Sequence, residues 1–377
     1  MSIIKSIGFP RMHKEEGEHR DYLPNLFEEL KDFEEIDIFI EENYGEGMGY
    51  CHKDYLDKNP RLTFISHDEI YKKDLILQLR APDENELMLM NPKSALFSML
   101  HYETRETRNK LLKHQNITCY SMDSVVDDAN MRLIANYKGT SRTGSRVAFN
   151  ELKNRMPNFY SQHRNPVNVT IIGMGAVAGN SARAFEELSD QEFLYDERTI
   201  PGLIIRMLPR NITKNLNILK DLISTTDILV DASKRSDASQ IIIPNELIAF
   251  LPEHAIILDL TADPYNCISI PMQVKGVEGI PTGTLDKFII EPKDEIYNTI
   301  PSGVETKNRR IVVSCNAWPG VDAEDCMKIY GEQTLPFLKL LLTKEITLSS
   351  INSRNFYERA ITRSSLDYFI KINDKNY

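Results

Sequence analysis

A run of small residues follows an apolar stretch near the middle of the chain, where residues 169–185 read VTIIGMGAVAGNSARAF. Gly173, Gly175 and Ala178 have the spacing G-x-G-x-x-G/A, and Gly179 follows directly. Glycine permits a tight turn at the first position, and at the second it lets phosphate oxygens approach the N–H groups that begin a helix. The spacing predicts a turn that binds the pyrophosphate of a dinucleotide. The alternative is a turn rich in glycine and alanine that only lets a helix pack closely on a strand.

The next apolar run bears on which dinucleotide would bind. A turn of this kind is typically followed, about 20 residues later, by an acid that accepts hydrogen bonds from the ribose hydroxyls of NAD. Here the run reads LIIRMLPRN, with Arg206 and Arg210 and no acid at its end. A guanidinium binds phosphate oxygens through two parallel hydrogen bonds, whereas an acid repels them. The sequence favours NADP(H) over NAD(H); the alternative is that one arginine is a solvated loop residue.

Short apolar runs alternate with segments of helical spacing along the chain. In the first half the strand-like runs include 3–10, 36–42 and 74–80, and in the second half they are 202–210, 227–233, 255–263 and 310–320. Such alternation implies parallel sheets with helices on both faces, in which the carboxyl ends of the strands face the ligand. Ala232 and Ser233 end one of these runs and are expected at the cofactor site.

The length of 377 residues is enough for two cores of ordinary size. We predict an α/β fold with two Rossmann-like, doubly wound parallel-sheet domains and an interdomain cleft. Residues 128–152 lack strand alternation and are predicted to form a helix, interrupted near Gly139 and Gly144, that crosses between the domains. Residues 1–140, completed by 321–377, are assigned to a substrate or catalytic domain, and residues 141–320 to an NAD(P)-binding domain.

The composition excludes several classes of protein. The chain has 55 acids against 45 bases, for a net charge of -10, and it has no basic stripe of the kind that binds nucleic acid. No apolar run approaches the ~18 residues of a membrane span, and the first residues lack the layout of a signal peptide. Five scattered cysteines without a C-x-x-C motif predict neither a disulfide framework nor a metal site. We therefore expect a cytoplasmic protein with no membrane or nucleic-acid partner.

Several further motifs occur in order between residues 5 and 342. They are IGFP with EHRDYLP, YGEGMGYCHKDY, ILQLRAPDENEL, SALFSMLHYET, SMDSVVDDANMRLIANYKG, IIGMGAVAGNSA, LDLTADP and CNAWPGVDAEDCMKIYGEQTLPFLKLL. Together they resemble the alanine dehydrogenase / pyridine nucleotide transhydrogenase N-terminal superfamily, and within it the saccharopine dehydrogenase and N5-(carboxyethyl)ornithine synthase branch. The stretch RMLPR is similar to that of the carboxyethylornithine synthase, whose cofactor is NADP(H).

The resemblance implies roles for individual residues. His101, at the end of SMLH, falls on the family's acid/base histidine, and Arg20 and Arg132 fall on arginines that bind substrate. Asp263 matches the acid that faces the nicotinamide, and residues 316–320, including Asn316 and Pro319, match the loop that closes over it. The resemblance also implies that the last long helix, about residues 321–342, packs on the first domain, that the active site lies in the interdomain cleft, and that the protein is a homo-oligomer.

Arg80, in ILQLRAP, departs from the family pattern, which places a lysine there. In the saccharopine branch that lysine is implicated in proton transfer. Arginine stays protonated at every accessible pH, but it can bind a carboxylate through two hydrogen bonds. We therefore expect Arg80 to bind substrate within the catalytic site and His101 to carry the proton, because histidine titrates near neutral pH.

The leading hypothesis is an NAD(P)H-dependent oxidoreductase that acts on CH–NH bonds. It would reductively condense an amino acid with a 2-keto acid, as opine and saccharopine dehydrogenases do, or run the reverse reaction. The first alternative is a simple amino-acid dehydrogenase of the alanine type, which uses ammonia. An alternative of another class is a non-catalytic nucleotide-binding sensor on the same fold.

Each candidate residue also has a purely structural interpretation. His101 could be a buried core histidine, Arg20 a solvated loop residue, Arg132 an ion-pair partner of Asp127 or Asp128, and Asp263 the cap of a turn. The tail from residue 345 onward is not explained by the resemblance. Its helical stretches carry three apolar residues that could pack on the first domain or on another subunit: Phe356, Ile361 and Phe369.

Overall fold

The computed structural model describes residues 4–12 and 15–374, so predictions for residues 1–3, 13–14 and 375–377 lie outside the described residues. The elements of the first part are, in chain order, β1 (Ser6–Phe9), α1 (Pro24–Glu28), β2 (Asp37–Glu41), α2 (His52–Lys58), β3 (Thr63–Ile65), α3 (His67–Ile70), β4 (Leu75–Arg80), α4 (Glu84–Met88), β5 (Ala95–Met99), α5 (Glu106–His114) and β6 (Thr118–Ser121). The middle part contains α6 (Tyr137–Arg155), β7 (Val167–Ile172), α7 (Ala176–Ser189), β8 (Leu203–Leu208), α8 (Arg210–Thr213), α9 (Leu216–Ile223), β9 (Ile228–Asp231), α10 (Asn245–Ile248), β10 (Ile256–Asp259), β11 (Ile289–Ile290) and β12 (Ile311–Ser314). The last part contains α11 (Ala323–Thr343), α12 (Phe356–Arg363) and α13 (Leu366–Ile372).

The described chain forms two compact units. Unit 1 comprises residues 4–12, 18–136 and 323–374, and unit 2 comprises residues 15–17 and 137–322. The sequence placed the corresponding boundaries at 140/141 and 320/321. The assignment of the units to substrate and nucleotide remains a prediction of their roles.

Each unit is built on one six-stranded sheet. In unit 1 the order is β3-β2-β1-β4-β5-β6, and every pairing is parallel. In unit 2 the order is β11-β12-β10-β9-β7-β8, with β11 antiparallel to β12 and the other pairings parallel. The strand order reverses direction at β1/β4 in the first sheet and at β7/β9 in the second. Ligands of open parallel sheets bind beyond the carboxyl ends of the strands at such reversals.

Both sheets are buried on both faces. Alternate strand residues point to opposite sides of a sheet, and here the residues on each side belong to an apolar cluster. In unit 2, Val169 and Ile171 belong to one apolar cluster, whereas Ile172 and Leu229 belong to a second cluster. In unit 1, Leu75 and Leu77 belong to one cluster and Ile76 to another. This confirms the predicted fold of two α/β units with mainly parallel, doubly wound sheets.

The predicted interruption of the helix after residue 128 is wrong. Residues 128–136 are not helical, and α6 then continues without a break through Gly139 and Gly144. A Cβ at Gly144 would lie 2.5 Å from Cδ2 of Leu260. Gly144 therefore lets α6 pack closely on neighbouring apolar side chains, and it does not end the helix.

The C-terminal segments belong to unit 1. Helix α11 contributes Cys326, Met327 and Leu338 to one of its apolar clusters. From the tail, Ile361 joins the same cluster and Phe369 joins the cluster on the other side of the sheet, whereas Phe356 is exposed. Within the part of the chain that the structure describes, no helix has the length and apolar character that would let it cross a membrane.

Candidate functional site

Unit 2 has a cavity of about 670 Å³ beyond the carboxyl ends of three adjacent strands. Its walls come from the turns after β7, β8 and β9, on either side of the β7/β9 reversal. Five of the predicted cofactor residues line it: Gly173, Gly175, Arg210, Ala232 and Ser233. The structure therefore brings together, in one cavity, residues that are up to 60 positions apart in the sequence.

The two glycines of the turn after β7 are required for different reasons. Gly173 has a φ of +116°, and a Cβ there would lie 2.6 Å from the backbone oxygen of Ala232. Gly175 has no atom within 4 Å of its Cβ position, and it immediately precedes α7 without a side-chain cap. Open space beside the uncapped N–H groups of a 14-residue helix is suited to a phosphate. These residues fit the pyrophosphate of a dinucleotide.

The cavity has a strongly positive lining. Arg210 and Lys214 follow β8, and Lys234 and Arg235 follow β9. Arg235 is engaged with the Asp263 carboxylate at 2.6 Å, and Arg210 donates to the backbone oxygen of Lys234 at 2.8 Å. Among the described residues, the lining contains no Asp or Glu, and no ion pair engages Arg210, Lys214 or Lys234. Three cations therefore remain to bind an anionic ligand.

Arg206 does not belong to this cavity. Its guanidinium donates to Oγ1 of Thr225 and Thr226, both at 3.2 Å, and these residues precede the first residue of β9. Because β8 and β9 are both parallel to β7, that end of the sheet is opposite to the cavity. The prediction that Arg206 binds the cofactor is corrected on this ground, and Arg210 is the arginine at the cavity.

Five other predicted cofactor residues lie outside the lining of the cavity. Ala178 is fully buried in the apolar core of unit 2, which is the packing role expected at that position of the turn. Asp263 reaches the lining only through Arg235. Asn316 donates to Oε2 of Glu15 at 2.7 Å, whereas its own Oδ1 is buried without a hydrogen bond. Gly179 and Pro319 lie in α7 and in the turn before α11, respectively.

Unit 1 gathers charged residues at the carboxyl edge of its sheet. Glu18, in the segment that follows β1, accepts two hydrogen bonds from the guanidinium of Arg20, at 2.8 and 2.7 Å, and one from Nη1 of Arg80 at 3.1 Å. The Glu18 side chain is 1% exposed. Burial raises the pKa of Glu18, but the two guanidinium groups outweigh this effect and lower it overall. Arg20 and Arg80 thus share one buried carboxylate, and Arg20 is not a solvated loop residue.

Arg132 lies in the same region of unit 1. Burial raises the pKa of Tyr330 to about 12, while the charges of Arg20 and Arg132 both act to lower it. Nε of Arg132 is buried and forms no hydrogen bond within the described chain. The alternative partner Asp128 is occupied by Arg359 and Arg363. The structure therefore joins Arg20 and Arg80 through Glu18, and the charge of Arg132 acts on the same tyrosine as that of Arg20.

His101 lies just beyond the end of β5 and is held by a carboxylate. Nδ1 of His101 is 3.3 Å from Oδ2 of Asp123, and the backbone N–H of His101 donates to Oδ1 of Asp123 at 3.2 Å. The ring is 52% exposed, whereas the carboxylate is 7% exposed and also accepts from Ser121 at 2.6 Å. Burial raises the pKa of Asp123, but hydrogen bonds from His101 and Ser121 outweigh this effect and hold it below the usual range. His101 is therefore not a core histidine.

The backbone at His101 is in a rare conformation. Its φ of +50° lies in the left-handed region, which non-glycine residues seldom adopt. Such conformations persist where the surroundings hold them, and they are concentrated at functional sites. At His101 the bond from its N–H to Asp123 and the bond from Thr104 to its carbonyl hold the turn.

Comparison with known proteins supports one superfamily. Residues 12–139 match the family model described as alanine dehydrogenase/PNT, N-terminal domain. An alanine dehydrogenase of Halomonas elongata is 22% identical over 276 residues, which is 67% of this chain and 71% of that protein. The findings support the alanine dehydrogenase/PNT superfamily.

Solved structures agree with this at the level of the fold. An L-alanine dehydrogenase superposes with a TM-score of 0.66 at 18% identity, over 96% of this chain and 94% of that chain. A transhydrogenase from Sinorhizobium meliloti superposes with a TM-score of 0.62 at 11% identity, over 89% and 93% of the two chains. Placement in the saccharopine and carboxyethylornithine branch remains a prediction.

The sequence does not identify some of the residues at the two sheet edges described above. Asp123 follows the strand that ends in TCYS, so its place at a strand end was a usable signal. Glu18 lies in the charged stretch EEGEHR, where nothing distinguishes it from its acidic neighbours. Lys214 and Lys234 lie in turns whose approach to each other depends on the sheet order.

Proposed function

We propose that this protein is an NADP(H)-dependent oxidoreductase that acts on the CH–NH bond of an amino acid. The observation that carries the proposal is the set of residues at the carboxyl edge of the unit 1 sheet. There, a half-exposed histidine oriented by a buried carboxylate lies beyond β5, next to the strand that ends in Arg80. Interconversion of an amine and a keto acid needs such a proton carrier together with cations that bind carboxylates.

His101 serves as the acid and base in this proposal. Because Nδ1 faces Asp123, the ring exchanges protons with the substrate nitrogen or oxygen through Nε2. Asp123 is a positioning residue: it fixes the orientation of the ring and stabilises the ring when it carries a positive charge. The non-catalytic alternative gives no reason for a histidine in a strained backbone conformation to be held by a buried carboxylate.

Arg80 and Arg132 bind the substrate carboxylates in this proposal. Arg80 is 26% exposed at the side chain and keeps part of its guanidinium accessible, and Arg132 has a buried Nε without a hydrogen-bond partner. Arg20 is nearly inaccessible and uses two of its N–H groups on Glu18. We therefore assign Arg20 the role of positioning Glu18, and through it Arg80.

The cavity of unit 2 binds NADP(H) in this proposal. When bound, the cofactor supplies the reducing equivalent for the carbon–nitrogen double bond. Gly175 and the first turn of α7 hold the pyrophosphate, and Arg210, Lys214 and Lys234 bind the additional phosphate on the ribose. The lack of an acid among the described lining residues favours NADP(H) over NAD(H).

We further propose that the amine partner is an amino acid, so that the protein condenses it with a 2-keto acid or cleaves the product. A condensed product carries at least two carboxylates, and Arg80 and Arg132 offer two separate cations for them. A second candidate is a dehydrogenase that uses ammonia. This candidate is favoured by the similarity to alanine dehydrogenases, and by Glu18, which neutralises one of the three arginines.

A screen of substrate pairs tests the proposal. The purified protein is mixed with NADPH and one keto acid from pyruvate, 2-oxoglutarate, oxaloacetate and glyoxylate. Each keto acid is paired with ammonia or with lysine, ornithine, arginine, alanine or glutamate, and NADPH absorbance is followed. We expect turnover that requires an amino acid and is lost in His101→Ala. Turnover with ammonia alone would support the second candidate, and binding of NADPH without turnover in any pair would contradict both.

A further inference from the structure

Three polar residues form a row across the sheet of unit 2. Asp231, Asp259 and Ser314 are the last residues of β9, β10 and β12, and the strand register places Asp259 beside both of the others. All three are buried, with exposures between 0 and 1%. The row lies at the carboxyl edge, where the residues that follow Asp231 line the cofactor cavity.

Asp259 is fully satisfied by its neighbours. Its Oδ2 accepts from Nζ of Lys275 at 2.6 Å and from Oγ of Ser314 at 3.0 Å, and its Oδ1 accepts from Thr261 and Ala262. Lys275 is 1% exposed, so this is a buried ion pair with a full set of hydrogen bonds. Its charge is neutralised within the row.

Asp231 differs from Asp259 because only half of its carboxylate is used. Oδ1 accepts from the backbone N–H of Ser233 at 3.0 Å, which fixes the turn after β9. Oδ2 is buried and makes no hydrogen bond of normal geometry, and the same holds for Oγ of Ser233. A Cβ at Gly276 would lie 2.5 Å from that Oδ2 and 3.2 Å from that Oγ, so both atoms face the same backbone.

The charges around Asp231 leave it without a counterion. Asp259 is paired with Lys275, and Asp263 is paired with Arg235 at 2.6 Å. Burial raises the pKa of Asp231 to about 6, with a further contribution from the Asp259 carboxylate. A buried acceptor without a partner is costly unless a ligand or a proton satisfies it.

We propose that Asp231 is a positioning residue for the bound dinucleotide, which it holds through the Ser233 hydroxyl at the wall of the cavity. Oδ2 of Asp231 accepts the hydroxyl proton of Ser233, and this leaves the oxygen of Ser233 as the acceptor for a hydroxyl or amide donor of the ligand. The inference rests on the proposed function, because it requires that the cavity binds a dinucleotide.

The sign of the pH dependence follows from this arrangement. A protonated Asp231 would donate to the Ser233 oxygen and compete with the ligand for that acceptor, so binding favours the ionised form of Asp231 and lowers its pKa. By linkage, affinity is then highest above pH 6 and falls as Asp231 gains a proton in the free protein. Between pH 7.5 and pH 5.0 the dissociation constant should increase roughly tenfold through this group.

The test is calorimetric titration of the whole chain with NADP+ at several pH values between these limits, in the native protein and in Asp231→Asn. The phosphate monoester of NADP+ itself titrates near pH 6. The quantity compared at each pH is therefore the dissociation constant of Asp231→Asn divided by that of the native protein. NAD+, which lacks that phosphate, is the second ligand. Asp227→Asn, the same substitution at the residue that precedes β9, is the matched control.

We expect the pH-dependent weakening that is due to this group to disappear in Asp231→Asn and to persist in Asp227→Asn. Equal pH dependence in the native protein and Asp231→Asn would overturn the inference while leaving dinucleotide binding intact. If no dinucleotide binds the native protein, the proposed function fails, and this inference fails with it. Should Asp231→Asn not fold, Ser233→Ala replaces it: it removes the hydroxyl but keeps the turn, and we expect weaker binding at pH 7.5 with a flattened pH profile.

Discussion

The two units use the same kind of sheet edge in opposite ways. At the edge of unit 1 most of the candidate residues are already paired: Glu18 with Arg20 and Arg80, and His101 with Asp123. At the edge of unit 2 the turns surround an open cavity, and Arg210, Lys214 and Lys234 line it without an acidic partner. In unit 1 the histidine that must hold one geometry is fixed by a carboxylate, whereas in unit 2 the three cations proposed to bind a phosphate have no acidic partner among the described residues.

If unit 1 carries out the chemistry and unit 2 binds the cofactor, as proposed above, the two functions should fail independently. A substitution in the paired set of unit 1 should change turnover or stability and leave dinucleotide affinity unchanged. A substitution of one of the unpaired cations in the open cavity of unit 2 should change dinucleotide affinity and leave stability nearly unchanged. The following experiments test this separation, beginning with the largest expected effect.

The largest effect is expected for His101→Ala. Loss of a general acid and base typically reduces the turnover number by ~10²–10⁴-fold. We expect this loss in kcat for the substrate pair found in the screen, together with an unchanged dissociation constant for NADPH. His163→Ala, at an exposed position of unit 2, serves as the control and should keep full activity. A His101→Ala variant that keeps its turnover number would contradict the assignment of the acid and base to unit 1.

Arg20→Met should produce the largest loss of stability. It leaves the buried Glu18 with Arg80 as its remaining guanidinium partner, and breaking a buried pair costs about 3–5 kcal/mol. Because the pKa of Glu18 is lowered in the folded protein, its contribution is present above the ordinary glutamate pKa and is lost as pH falls toward the folded value. Urea unfolding at neutral and acidic pH measures both effects.

Arg80→Met is the matched comparison for Arg20→Met. Arg80 makes one hydrogen bond to Glu18 against the two from the guanidinium of Arg20, and it is more exposed. We expect a smaller loss of stability and a higher KM for the keto acid. If Arg20→Met instead raised KM without loss of stability, Arg20 would be the substrate ligand and the assigned roles would be reversed.

Arg210→Ala should weaken NADPH binding by roughly 10–100-fold, because a hydrogen bond to a charged group contributes ~1.5–3 kcal/mol. NADH binding should change little. Arg206→Ala is the control, since its guanidinium contacts threonines at the opposite end of the sheet. Calorimetric titration with both cofactors distinguishes the two arginines, and equal effects of the two substitutions on NADPH affinity would contradict the assignment.

The smallest effects are expected at the two glycines of the turn. Gly173→Ala places a Cβ against the oxygen of Ala232 at a positive φ and should cost about 1–3 kcal/mol of stability. Gly175→Val meets no protein atom within 4 Å of its Cβ and should fold normally, but its side chain occupies the space assigned to phosphate. Thermal unfolding and NADPH titration of both variants should give opposite patterns.

The sequence predicted the parts of this molecule that depend on local chemistry. The glycine turn, the strands around it and the arginine after β8 follow from spacing and composition, and the structure places Gly173, Gly175 and Arg210 in one cavity. The predicted interruption of the helix at Gly144 is wrong because this glycine makes room for the side chain of Leu260, a residue more than a hundred positions away. The prediction for Arg206 is wrong because composition does not tell which end of the sheet the guanidinium of a strand arginine reaches.

The charge pairing of unit 1 is the feature that is hardest to predict from the sequence. Glu18 approaches Arg80 only because β1 and β4 are neighbours in the sheet, although they are more than 60 residues apart in the chain. The sequence does not single out Asp231 for a similar reason. Asp231 ends a predicted strand, but the surroundings of its Oδ2 include Gly276, which lies on another segment. Residues whose roles depend on such approaches require the folded structure.

We propose that unit 1 carries out amine chemistry with a reducing equivalent from a nucleotide bound by unit 2. The most direct test uses NADPH that carries deuterium at the transferable position of the nicotinamide, together with the keto acid and amine found in the screen. We expect deuterium on the α-carbon of the amino product, detected by mass spectrometry, and incorporation slowed by ~10²–10⁴-fold in His101→Ala. Deuterium on the carbon of a 2-hydroxy acid, or no transfer to any product, would contradict the proposal.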